Sequence, residues 1–155
     1  MPSKLQEDKK IELLQYNISR FDHYYASVNF KSSFLVVGNI TILGFLLGKG
    51  SIDWYVSIIL FSIVVSLVYV LLAIKPYLKP YQGSNSILYF NDIANNESVF
   101  KNKLKDLTRE EYILDLQEQV YILADGLKNK FNYLNISTIL FIMNIVLFFI
   151  KVVIL

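Results

Sequence analysis

Three stretches of this sequence carry no charged residue: Ser32 to Gly48, Trp54 to Ile74 and Phe131 to Ile150. A helix needs about 20 residues to cross about 30 Å of hydrocarbon, and each run comes close to that length. The first is the shortest, about 25 Å at 1.5 Å per residue. Lys31 and Lys49 can snorkel outward from its ends, and Val28 and Phe30 extend it. Any one run also reads as the core segment of a soluble fold, but three would make a core larger than the rest of the 155 residues can cover. Composition agrees, with 54% hydrophobic residues against 18% charged ones and a mean hydropathy of +0.43. The expected fold is an all-α membrane protein, three transmembrane helices with long cytosolic helical extensions.

The same counts exclude whole classes of function. A formal net charge of +2 is too small for a nucleic-acid binder, which clusters Lys and Arg to displace phosphate counterions. With no Cys and one His, thiol catalysis and a Cys- or His-built metal centre are not expected. The spans hold no internal charge, which disfavours a proton- or ion-coupled transporter. The reading is therefore not an enzyme and needs no cofactor.

Orientation follows from the basic residues. The N-terminal arm carries Lys4, Lys9, Lys10, Arg20 and Lys31 and has no early apolar core, so it does not read as a secretory signal. The segment 75–130 carries eight Lys or Arg, and the hairpin between the first two spans only Lys49. The positive-inside rule then places the arm and the middle segment in the cytosol. In the arm, Ile11, Leu14, Ile18, Phe21, Tyr25 and Val28 recur at steps of three and four, one apolar face of a helix running into the first span. Thr108 with Glu111 three residues on reads as a capping box. From there Tyr112, Leu116, Val120, Leu123, Leu127, Phe131 and Leu134 lead without a Pro into the third span. Gly126 interrupts that helix weakly and is read as a packing contact. The expected organisation is 1–31 as a cytosolic helix, 32–48 and 54–74 as spans, 75–107 as a cytosolic linker, 108–131 as a second cytosolic helix and 132–155 as the third span. Pro76 and Pro80 end the second span. Ser86 to Ile93 is open between interfacial helix, strand and buried loop, and a short amphipathic helix is expected within 94–107.

Several motifs have bland readings. Gly44 to Ser51 resembles a phosphate-binding loop, but its spacing is one residue short and Gly50 stands where Ser or Thr is required, so it reads as a turn. His23 reads as a surface histidine. Glu110, Glu111, Asp115 and Glu118 suit a helix start and pairing with Arg109 or lysines better than acid–base catalysis. Asn39, Thr41, Ser57, Ser62, Ser66 and Asn144 are costly in lipid and are expected to mark helix–helix contacts.

The order of these parts resembles a known family. Val28 to Lys31 opening the first span, Asn39 within it, Ala73 to Pro76 closing the second and Asn85 to Ile93 are similar to the membrane effectors of Pycsar anti-phage systems. So are Tyr112, Asp115, Leu116, Gln119, Tyr121, Leu123, Lys130, Phe131 and Leu134, and the likeness covers nearly the whole chain. Asn29 departs from the pattern, since an acidic residue is expected two positions before the lysine. The resemblance implies a multi-pass effector of the bacterial inner membrane, an oligomer in the lipid bilayer. A nucleotide cyclase that need not touch it would supply a cyclic mononucleotide of the cCMP or cUMP class as the activating ligand. Activation would then break membrane integrity and abort infection. On this view Lys75, Lys79 and Arg109 are the candidate phosphate partners, and Tyr77, Tyr81, Tyr89 and Phe90 the candidate stacking platforms. Leu116, Gln119, Val120, Leu123 and Leu127 are the candidate packing and transmission residues. The rival readings are a structural or assembly subunit and a ligand-independent, holin-like pore toxin.

Overall fold

The computed structural model describes residues 4–48, 53–76 and 86–153, and every regular element among them is helical. The helices are α1 (Lys4–Gly48), α2 (Trp54–Ile74), α3 (Phe90–Asn95), α4 (Glu97–Lys105) and α5 (Arg109–Val153). Three of them, α1, α2 and α5, are long and apolar enough to cross a membrane. At 45 residues each, α1 and α5 extend about 67 Å, more than twice the hydrocarbon thickness. About half of each must therefore lie outside the lipid core. The chain forms two compact units, Met1–His23 with Tyr77–Gly126 and Tyr24–Pro76 with Leu127–Leu155.

The second unit holds the charge-free runs. Its α1 portion buries Val28, Ser32, Leu35, Asn39, Ile42 and Leu46. In α2 the buried face is Val56, Ile59, Ile63, Ser66, Val70 and Ala73, with Ser62 beside it, and in α5 it is Leu127, Lys130, Leu134, Ser137 and Asn144. Steps of three and four give a 3.5-residue period, which keeps one seam facing its neighbours as helices supercoil left-handedly. Ile42, Leu46, Val56, Ile59 and Ile63 form the apolar end of this core, with Phe141 and Phe148 packed on it. Gly38 belongs there because a Cβ at this position would stand 2.6 Å from Phe141 Cε2, so the ring uses the space. Phe34, Val37, Phe61, Val68, Leu71, Ile139 and Val146 point outward. Lipid solvates such a surface as well as a core would.

On α5 the seam departs from the hydrophobic series read from sequence. Leu116, Leu127 and Leu134 are buried and Gln119, Val120 and Leu123 half-buried, but Phe131 is exposed and Lys130 takes the buried place. Ile113 likewise lies inward while Tyr112 is half-buried. Spacing alone admits either, because Lys130 and Phe131 each stand three or four residues from both Leu127 and Leu134; the carbonyls at the end of α2, which Lys130 meets, decide between them. Gly126 is buried in an unbroken helix.

In the first unit, residues 86–89 form a buried loop leading into α3. The Ser86 hydroxyl accepts from the N–H groups of Leu88 and Tyr89 at 3.1 and 2.9 Å, and Asp92 accepts from Ser86 N at 3.0 Å. Asp115 of α5, 8% exposed, accepts from Ile87 N at 2.9 Å and fixes the loop to the helix. The open question over Ser86 to Ile93 is thus answered by loop and helix together. The short amphipathic helix is α4, which buries none of its residues. The capping box forms as the sequence requires: Thr108 N donates to Glu111 Oε2 at 3.0 Å and Glu111 N to Thr108 Oγ at 3.3 Å.

Candidate functional site

Inside the second unit a polar seam joins all three spans. Asn39 of α1 donates through Nδ2 to Leu35 O at 2.8 Å and to Ser66 Oγ of α2 at 3.2 Å. Ser66 and Ser137 of α5 bond hydroxyl to hydroxyl at 3.1 Å, and the Ser137 hydroxyl donates to Ser66 O at 3.1 Å. Asn144 Nδ2 donates to Asn39 Oδ1 at 3.3 Å. All four side chains are fully buried. Lipid offers no hydrogen bond, so such groups must face one another, and each interhelical bond contributes on the order of 1 kcal/mol while fixing register. Among the described residues, Asn144 Oδ1 of this network and the hydroxyls of Ser32 on α1 and Ser62 on α2 are buried with no hydrogen-bond partner.

Not every polar residue in a span marks a contact. Thr41 and Ser57 are exposed, their hydroxyls donating to the carbonyls of Val37 at 2.8 Å and Asp53 at 3.0 Å on or beside their own helix. A hydroxyl satisfied four residues back needs no neighbour, which is why these two differ from Asn39, Ser66 and Asn144. Ser137 completes the seam and is not among the residues flagged from sequence. Its signal was the step of three from Leu134.

Both ends of α2 are held by α5. At the C-terminus Lys130 Nζ donates to the carbonyls of Ala73, Ile74 and Lys75 at 2.5, 3.1 and 2.8 Å, three donors meeting three carbonyls that a helix end leaves unpaired. The Tyr25 ring lies 5.7 Å from the same ammonium. At the N-terminus Asp53 caps α2 by accepting from Val56 N at 2.8 Å and pairs with Lys151, while Tyr55 donates to Leu147 O at 3.0 Å. The 21 residues of α2 span about 31 Å, so the two clamps stand one hydrocarbon thickness apart. The hydrogen bond from Lys151, aided by that from the Val56 N–H, holds the Asp53 carboxyl below its usual range.

The residues suggested for ligand contact are distributed as follows. Lys79, Tyr77 and Tyr81 lie outside the described residues. Lys75 is exposed at the end of α2 and Phe90 opens α3. Tyr89 is 5% exposed. Arg109 pairs with Glu7, Nε to Oε2 at 3.2 Å, and with Asp8, so it bonds to the start of α1 rather than to carboxylates of its own helix. Gln15 Nε2 donates to the Tyr112 hydroxyl at 2.9 Å between the same two helices.

Against known proteins, the family model described as the Pycsar effector protein domain, PycTM, matches residues 13–155. Neither the curated proteins nor the solved structures give a match. The matched range takes in α2 and α5 whole, α1 from Leu13 onward, and every member of the polar seam and its clamps. The chain belongs to the Pycsar effector family.

Proposed function

We propose that this chain rests in the bacterial inner membrane with its N-terminus and middle segment in the cytosol. There it senses a cyclic mononucleotide of the cCMP or cUMP class made by a partner cyclase, and it then rearranges as a homo-oligomer to break membrane integrity. Family membership supports the antiviral setting, and the excess of Lys and Arg in 1–31 and 75–130 supports the orientation.

The observation that carries a membrane-opening role is the buried seam at Asn39, Ser66, Ser137 and Asn144, together with the three unpartnered oxygens buried in the same spans at Ser32, Ser62 and Asn144. Each such oxygen costs about 1–3 kcal/mol when kept from water. Moving a two-state equilibrium from 1:99 to 99:1 takes about 5.5 kcal/mol. The two quantities are of the same order, so wetting the seam offsets a large part of the cost of opening. Because α1 and α5 are unbroken, ligand-driven repacking at their N-terminal parts can reposition the spans as rigid bodies.

The test is membrane potential and dye uptake in cells expressing the chain with an active or an inactivated cyclase. Depolarisation only with the active cyclase is the expected result. Constitutive depolarisation would favour the pore toxin, and none in either case the assembly subunit.

A further inference from the structure

The first unit contains a cavity of about 550 Å³ between the N-terminal parts of α1 and α5, a size suited to a mononucleotide. Its apolar wall is Leu13, Ile113 and Leu114. Leu13 and Leu114 are 59% and 64% exposed, although this part of each helix lies outside the charge-free runs. Such paired apolar surface beside polar groups is the usual lining of a ligand site. Lys9 and Lys10 stand at its edge, exposed and with no ion pair among the described residues. Two carboxylates also line it, Glu7, which is held by Arg109, and Glu110. The Gln117 amide adds both a donor and an acceptor.

An anionic group against Lys9 and Lys10, a flat apolar body against Leu13 and Leu114 and a polar edge toward Gln117 together describe a nucleoside phosphate. We infer that this cavity is the cyclic-nucleotide site, with Lys9 and Lys10 taking the phosphate and the two leucines sandwiching the base. This rests on the function proposed above and gives it a location. It also moves the ligand away from Tyr89, which is buried, and from Arg109, whose charge is already met by Glu7 and Asp8. A ligand here touches α1 and α5 at once, so it changes the packing of these two helices directly.

The full chain in detergent is titrated with cCMP and with cUMP, with circular dichroism verifying that each variant is folded. Lys9→Glu with Lys10→Glu is expected to weaken binding at least tenfold, and Leu13→Trp, which fills the cavity, to do the same without a charge change. Lys75→Glu with Lys79→Glu is expected to bind as the unaltered chain does. Unchanged affinity in the Lys9/Lys10 and Leu13 variants, or loss confined to the Lys75/Lys79 variant, would overturn this site and leave the proposed function standing. No binding of either nucleotide by the unaltered chain would overturn both.

Discussion

Asn39 carries the seam because an amide has two ends to satisfy. Its Nδ2 serves Leu35 and Ser66 while its Oδ1 receives Asn144. Asn39→Leu is expected to lower stability in detergent by about 1–2 kcal/mol, since it leaves Asn144 with no partner on α1. Asn39→Leu with Asn144→Leu should cost less than the sum of the two single changes, because the pair then leaves no orphan. Thermal melts of the four proteins give the comparison, and strict additivity would dissociate the two residues. Lys130 is the other residue whose removal strands several partners. Lys130→Met keeps the aliphatic stem but leaves the carbonyls of Ala73, Ile74 and Lys75 without their donor, at an expected cost of about 2–3 kcal/mol. Hydrogen exchange localised to the last turn of α2 would register that loss, and no change there would refute the cap. The sequence offered Asn39, Ser66 and Asn144 as contact residues because amides and hydroxyls are costly in lipid. It did not offer Lys130 as buried, since a charged residue beside a span reads as a snorkelling one until the three carbonyls it meets are known.

The start of α5 depends on a carboxylate. Thr108 bonds to Glu111 and holds its carboxyl below the usual range. A folded value lowered relative to the unfolded chain stabilises the helix start above the unfolded pKa, and that contribution is lost as pH falls through the folded value. Protection of the Thr108 and Glu111 amides from hydrogen exchange is therefore expected to fall as the pH drops below the ordinary carboxylate range. Glu111→Gln, which can still accept from Thr108, should remove this pH dependence. The capping box was legible from Thr108 and Glu111 alone, because both partners lie within one turn. By contrast, the loop 86–89 was not, because its anchor is Asp115, 28 residues away from Ile87. The same distinction applies to the seam of α5: the series through Leu116 and Leu127 could be read, but its phase past Leu127 could not. Phe131 and Lys130 both stand three or four residues from Leu127 and Leu134, and only the carbonyls of α2 favour the second.

For the molecule as a whole, the proposed signal runs along α1 and α5. Replacing Leu116, Val120 and Leu123 with Asp is expected to abolish cyclase-dependent depolarisation, because it puts three charges on the inward side of α5 in the first unit. Membrane insertion, read by fractionation, should persist since the charge-free runs are untouched. Killing at the unaltered level would remove that face of α5 from the mechanism. Three membrane-crossing helices, two of them continued well beyond the lipid, were determined by the sequence itself, because the length of a charge-free run and the absence of Pro are local properties. Which polar groups meet was decided only by the tertiary structure. A hydroxyl such as Thr41 can turn to its own helix, whereas Ser66 and Ser137, 71 residues apart, have each other as partners only once the spans are packed.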